Sequence, residues 1–167
     1  MRQSKAPRKT TSACSLNHLP ADDLPAVFAE VARITKGRFV AKVRAIGSTP
    51  TIYVDGVKTA KAYHQDNVLG RLEVEFDDGS QTSFPSRLFS AAEIRALAAP
   101  ALQIDKLGGL DLFHSRFATD PDWNPREATP DANLIDALRA LEHRFHRNPA
   151  FVDHATHLLL LARPKRS

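Results

Sequence analysis

The chain has little cysteine, and Cys14 is the only one among its 167 residues. A single thiol cannot form an intramolecular disulfide, and it cannot supply a structural zinc site that needs several cysteine ligands. A protein with so little cysteine needs no oxidising compartment to fold. We therefore expect it in the reducing cytoplasm.

Long apolar runs are also missing. The longest one near the C-terminal end is LLLLA at 158–162, far short of the roughly 20 residues that a membrane-spanning helix needs. Residues 1–15 are basic but have no apolar core, so they do not read as a secretory signal. The sequence therefore predicts no membrane partner.

Common catalytic and cofactor-binding motifs are absent from the sequence, which has no P-loop, no glycine-rich dinucleotide fingerprint and no G-x-S-x-G elbow. The best enzyme hypothesis is a Mg²⁺-dependent hydrolase that uses Glu73, Glu75 and Asp77. Such a site also needs ligands that converge from other elements, and an acidic strand face is more often solvated or bound to a basic partner. We predict a non-enzymatic protein without a cofactor.

Four histidines near the C-terminal end are a possible metal site. They lie in EHRFHRNPAFVDHATH and are His143, His146, His154 and His157. Histidines three residues apart on a helix share a face and can bind zinc. However, the spacing matches neither H-E-x-x-H nor a zinc finger, and Arg144 and Arg147 place positive charge beside the proposed ligands. We predict surface or helix-packing histidines and no bound metal.

Charge is distributed unevenly along the chain, whose formal net charge is +4. Residues 1–64 hold eleven Lys and Arg against four Asp and Glu, whereas residues 65–136 hold six against thirteen. Residues 137–167 are basic again, with six against two. This order indicates one part that faces a polyanion and a separate acidic surface.

Hydrophobic spacing predicts an α+β fold. The predicted elements are a helix from Asp22 to Gly37, a strand at 38–46, hairpins with turns at Asp55-Gly56 and Asp78-Gly79, a helix at 90–100, and a further strand followed by a Gly108-Gly109 turn and another strand or loop. We expect the N-terminal helix to pack on an antiparallel sheet built from these hairpins.

Composition divides the chain into five segments. They are a disordered basic tail at 1–15, the α+β domain at 16–117, a proline-rich linker at 118–131, C-terminal helices at 132–162 and a basic tail at 163–167. Leucines at helical spacing predict the first C-terminal helix, and AFVDHATHLLLLA is interpreted as a second one. The complete prediction is an α+β domain with a C-terminal helical appendage.

The stretch RLEVEFDDGSQTSFPSRLF at 71–89, the Ala-rich helix after it, LQIDKLGG and the aspartate pair in TDPDW at 119–123 resemble a small prokaryotic domain-of-unknown-function family. Its signature has the form L-x-V-x-F-x-D-G with a later Pro and Leu. The matching residues are Leu72, Val74, Phe76, Asp78, Gly79, Pro85 and Leu88. The resemblance spans roughly residues 60–123. It implies a small α+β domain, in some members joined to a helix-turn-helix or found beside toxin–antitoxin genes, and it implies no catalytic residues.

Basic residues on the predicted strands are the candidate nucleic-acid-binding set. They are Arg38, Lys42, Arg44, Lys58 and Lys61, together with Arg2, Lys5, Arg8 and Lys9 of the tail. On adjacent antiparallel strands, cations on one face form a continuous patch, and disordered basic tails add phosphate attraction. The alternative is that these side chains merely solvate the sheet, because the strand register is unknown.

Two functions fit these patterns. The first is a small binding or regulatory protein that contacts nucleic acid, or a protein complex associated with nucleic acid. The second is an inhibitor or assembly subunit of phage or plasmid type, which binds a basic partner protein through Glu73, Glu75 and Asp77. DNA binding that depends on salt distinguishes the first function from the second.

Overall fold

The computed structural model describes residues 14–48, 60–113 and 132–165. Its helices are α1 (Leu24–Ile34), α2 (Ala91–Ala98) and α3 (Ala132–Phe145). Its strands are β1 (Phe39–Arg44), β2 (Ala60–Asp66), β3 (Arg71–Phe76), β4 (Gln81–Pro85), β5 (Leu102–Leu110) and β6 (His157–Pro164). Short 3₁₀ turns lie at Cys14–His18, Ala21–Asp23 and Val152–His154. Helices combine with antiparallel sheets, which confirms the α+β class.

Three strands that are distant in sequence form the major sheet, in the order β1-β6-β5. Both pairings are antiparallel, with Lys42 and Gly108 on either side of Leu159. Side chains alternate between the two faces of a strand, and Phe39, Ala41 and Val43 are buried on one of them. We call this the inner face. The opposite, outer face of the major sheet carries Lys42 and Arg44.

The main hydrophobic core lies on the inner face of the major sheet. Phe28 of α1 is fully buried and meets Phe39 edge to face, with ring centroids 6.4 Å apart. Ile94 and Ala98 of α2 belong to the same core. At the start of α2, Ser90 and Glu93 form a reciprocal capping box that satisfies backbone donors which the helix leaves free. The two helices thus cover one side of the major sheet.

Helix α1 differs from the predicted N-terminal helix in its position along the chain and in its contacts. Two 3₁₀ turns precede α1, so it is not the first element of the chain. Its core contacts are with α2 and with the major sheet, whose strands are not joined by hairpins. A hairpin-built sheet does exist, but it is a second sheet.

The C-terminal segment is the largest correction to the prediction. Residues 157–164 are strand β6, the middle strand of the major sheet, and not a helix. Leu158 and Leu160 are buried on the inner face while Leu159 and Leu161 are partly buried on the outer face. A strand covered on both faces has no clear alternation, so its apolar run resembles a buried helix. The predicted C-terminal appendage therefore contains one helix, α3. Arg163 and Pro164, which were predicted to belong to the basic tail at 163–167, are part of strand β6.

Gly108 and Gly109 lie inside β5 and do not form the predicted turn. Both are buried, and a Cβ on Gly109 would lie 2.7 Å from the Ala155 Cβ. A Cβ on Gly108 would lie 3.0 Å from the carbonyl oxygen of His146. These glycines therefore allow the 146–155 segment to approach the edge of the sheet closely.

The second sheet is the hairpin sheet, in the order β2-β3-β4. The predicted β3–β4 hairpin is confirmed by the antiparallel pairing of Glu75 with Gln81. Its loop is Asp77–Gly79 and not the two-residue turn of the prediction, because the Phe76 amide donates to the Ser80 carbonyl at 2.9 Å. Gly79 has φ +80°, the left-handed conformation that a three-residue hairpin loop requires.

Several predictions concern residues outside the described ranges. They are the Asp55-Gly56 turn, the linker at 118–131, and all of the basic tail except its last two residues. Lys58 and the tail cations Arg2, Lys5, Arg8 and Lys9 also lie outside these ranges. Those assignments stay predictions.

Candidate functional site

Lys42 and Arg44 of β1 lie together on the outer face of the major sheet. They are two residues apart on one strand, and Arg44 is directly opposite His157 of β6. Burial and the positive charge of Lys42 are the largest causes that lower the pKa of His157, to about 4. Asp111 opposes this shift, and Arg44 adds to it. His157 is therefore neutral near pH 7, and the fixed positive charge of this region belongs to Lys42 and Arg44. We call Lys42, Arg44 and His157 the basic cluster.

Arg44 is held in place by buried polar groups from other elements. Only 7% of its surface is exposed, and its Nη1 donates to the Ser86 hydroxyl at 3.3 Å. The Arg44 backbone amide donates to Asn17 Oδ1 at 3.0 Å. Asn17 is itself buried and donates its side-chain amide to the Arg87 carbonyl. The guanidinium thus lies at a fixed position where β1 meets the chain that follows the hairpin sheet.

Lys42 is more accessible than Arg44 because it is only half-buried. Among the described residues, no carboxylate forms an ion pair with it. Leu159 is its cross-strand neighbour. The aliphatic part of a lysine can lie on such an apolar side chain while its ammonium group stays in water. Lys42 is therefore the member of the basic cluster best placed to meet an external anion.

The predicted patch across β1 and the next strand is wrong in one respect. β1 pairs with β6 and not with β2, so Lys61 of the hairpin sheet is not on a strand adjacent to Lys42. Lys61 Nζ instead forms an ion pair with Glu75 Oε1 at 2.8 Å. Arg38 is exposed immediately before β1. Lys61 thus belongs to a different sheet from Lys42 and Arg44.

Asp111 lies beside the basic cluster and has an unusual backbone conformation, with φ 62°. Aspartate tolerates this left-handed region better than most residues. Its carbonyl oxygen accepts from the Thr156 hydroxyl at 3.0 Å and from the Thr156 amide at 3.4 Å. These bonds fix the carbonyl group of Asp111 next to the start of β6.

The predicted acidic residues Glu73 and Glu75 share the exposed face of the hairpin sheet, and Asp77 is exposed in the following loop. Glu73 has His64 and Ser83 as its cross-strand neighbours. The Glu73 side chain therefore lies between those of His64 and Ser83. This order excludes a serine–histidine–carboxylate relay in the row, because that chemistry needs the histidine in the middle.

The four C-terminal histidines lie in four different places: His143 in α3, His146 in the turn after it, His154 in the 3₁₀ turn Val152–His154 and His157 in β6. His143 and His146 are neighbours with ring centroids 5.6 Å apart, and His146 Nδ1 is 2.8 Å from the His143 carbonyl oxygen. His157 belongs to β6 in the basic cluster. Across 14–48, 60–113 and 132–165, no three histidine, cysteine, aspartate or glutamate side chains are grouped to hold a metal ion.

Sequence reasoning missed Asn17 and Ser86, and it assigned His157 only to a hypothetical metal site. Asn17 and Ser86 carry no motif, and their importance depends on contacts between distant segments. The position of His157 could have been found only by interpreting 157–164 as a strand.

A helix long and apolar enough to cross a membrane is not found in the described part of the chain.

No family model matches the chain, and no curated protein sequence is significantly similar to it. One similar solved structure is that of the PH0226 protein from Pyrococcus horikoshii OT3, with a TM-score of 0.48 and 14% identity. The match covers 90% of this chain and 48% of that one, so the chain spans about half the length of that protein. The resemblance to a domain-of-unknown-function family stays a prediction.

Proposed function

We propose that this protein binds nucleic acid without catalysis, and that Lys42 contacts the phosphate backbone from the outer face of the major sheet while Arg44 adds a fixed positive charge beside it. The observation that supports this function is the pair of cations on one strand, both close enough to His157 to lower its pKa. Fixed cations on a sheet attract phosphates regardless of base sequence. The role is that of a small binding or regulatory protein.

The accessibility of the cations supports this proposal. Arg38 is exposed just before β1, and Lys42 has no ion-pair partner among the described residues. Arg44 is too buried to reach far, so its contribution is mainly a fixed positive potential beside Lys42. Arg2, Lys5, Arg8 and Lys9 are proposed to add attraction that does not depend on sequence.

A salt series with two matched lysine variants tests the proposed function. Binding of a fluorescent random-sequence duplex and of a single strand is measured for wild type, Lys42→Ala and Lys61→Ala. We expect Lys42→Ala to bind more weakly and to reduce the slope of log affinity against log salt by about one unit. Lys61→Ala removes the same charge from the hairpin sheet and should have a smaller effect, since Lys61 is paired with Glu75.

Two outcomes would contradict the proposed interface. Equal losses in the two variants would indicate diffuse attraction without a defined surface. Absence of wild-type binding even at low salt would refute nucleic-acid binding itself. Thermal unfolding of each variant shows whether a loss of binding reflects a loss of structure.

The alternative function is binding of a basic partner protein through the hairpin sheet. The observation that favours it is that Glu73 and Glu75 point to the same exposed face, where Glu73 has no ion-pair partner among the described residues. A partner that co-purifies with wild type and is lost from Glu73→Lys but not from Lys42→Ala would support this function. Charges at the edge of an interface mainly change the rate at which the two proteins associate and the dependence of that rate on salt.

A further inference from the structure

The turn between β2 and β3 presents two aliphatic side chains to solvent. Val68 is 90% exposed and Leu69 is 70% exposed, the highest values among the large apolar side chains that the structure describes as exposed. We call these two residues the apolar tip. Their burial in the folded chain is slight, so their contribution to the stability of the domain is small.

Hydrogen bonds hold the apolar tip in one conformation. Asp66 Oδ1 accepts from the Val68 amide at 2.8 Å and from the Leu69 amide at 2.9 Å. Asn67 Oδ1 accepts from the Leu88 amide at 3.3 Å, which ties the turn to the chain after β4. Gly70 then takes φ +64° and leads into β3. A turn that is already ordered loses little conformational entropy when it binds a partner.

The base of the same turn is connected to the basic cluster through Ser86. The Ser86 amide donates to the Gly70 carbonyl at 2.8 Å, while the Ser86 hydroxyl accepts from Arg44 Nη1 at 3.3 Å. Arg71, which follows Gly70, is exposed. The apolar tip is thus followed along the chain by the exposed cation Arg71, and its base is linked through Ser86 to Arg44 of the basic cluster. The Asp66 carboxylate is directed at the backbone of the turn.

We propose that the apolar tip inserts into the minor groove of duplex DNA and separates one base step, while Lys42 and Arg71 contact the flanking phosphates. Proteins that bend DNA from the minor groove insert apolar side chains in this way, next to cations that hold the backbone. This inference rests on the proposed nucleic-acid binding and specifies duplex DNA as its ligand. It also assigns a role to two apolar residues that the core does not use.

The test uses a short duplex that carries 2-aminopurine at its centre and a donor–acceptor dye pair at its ends. Wild type should raise the 2-aminopurine fluorescence, because the base loses its stacking, and should shorten the distance between the dyes. The variant Val68→Ser/Leu69→Ser should lose both signals and bind about tenfold more weakly, because two apolar contacts are lost. Its salt slope should stay that of wild type, since no phosphate contact is removed.

The control is Ile34→Ser, which removes an apolar side chain that is 58% exposed at the end of α1. It should bind and bend DNA as wild type does. If the tip variant also binds and bends DNA like wild type, insertion is wrong while the proposed phosphate binding stands. If the tip variant loses binding only to vesicles of anionic phospholipid, the tip is a lipid contact and the inference is overturned. If wild type binds no duplex at all, the proposed function fails together with this inference.

Discussion

Gly109 of β5 and Ala155 are so close that a Cβ on Gly109 would lie 2.7 Å from the Ala155 Cβ. Gly109→Ala must therefore displace the 146–155 segment from the edge of the major sheet. We expect a loss of about 1–3 kcal/mol in the free energy of unfolding, as for other overpacked cores. Urea denaturation measures it. Gly37→Ala is the control, because a Cβ there meets no atom within 4 Å, and equal stability of the two variants would contradict the close approach.

The loop of the β3–β4 hairpin depends on Gly79 with φ +80°. Gly79→Val places a β-branched residue in the left-handed region and should cost on the order of 1 kcal/mol or more. Gly79→Asn should cost less, because asparagine tolerates this conformation. Steric crowding does not contribute to the cost of these substitutions, since a Cβ on Gly79 would meet no atom within 4 Å. Identical thermal unfolding of both variants and wild type would show that this loop needs no left-handed residue.

Asn17 is buried and joins two segments through its side chain, bonding Arg44 with its oxygen and Arg87 with its nitrogen. Asn17→Ala leaves backbone groups of both residues without these partners in a buried region. We expect a loss of about 2 kcal/mol or more in the free energy of unfolding, since each unsatisfied buried group costs about 1–3 kcal/mol. Ser83→Ala, at an exposed position of β4, should change it little. Comparable denaturation midpoints for the two variants would contradict a structural role for Asn17.

Protonation of His157 should make stability depend on pH. Its pKa is lowered in the folded protein from 6.5 to about 4, chiefly by burial and by Lys42. Between these values the unfolded chain binds a proton that the folded chain does not, so stability is full above about 6.5 and decreases as the pH falls toward 4. His157→Gln should flatten this part of the profile. The measurement is the free energy of unfolding against pH, and parallel profiles for wild type and variant would refute the assignment.

Much of the fold can be predicted from the sequence, namely the elements that have one face exposed to solvent. The apolar periodicity of helix α1 and strand β1 is clear because one side of each packs in the core, while the other side carries polar or only partly buried residues. Strand β6 shows no such periodicity in its sequence, because Leu159 and Leu161 on its outer face are partly buried as well. Its position between β1 and β5 depends on pairing with residues 47 or more positions away, which no local pattern encodes.

The candidate site was predictable only in part. Lys42 and Arg44 were identified because alternation on one strand places them on the same face. Lys61 was wrongly joined to them, because the sequence does not say which strands are neighbours. Asn17, Ser86 and His157 come to Arg44 from three separate segments. Such contacts follow from the topology and leave no local signal.

Because β6 lies between β1 and β5, the major sheet cannot form while the protein is being made until residue 164 has left the ribosome. Until then, the apolar inner faces of β1 and β5 have no strand between them, and the chain depends on local elements such as the β3–β4 hairpin. Closing a loop from residue 44 to residue 157 is entropically costly, so we expect sheet formation to be slow relative to hairpin formation. Nascent chains halted before β6 should therefore be the form most recognised by chaperones.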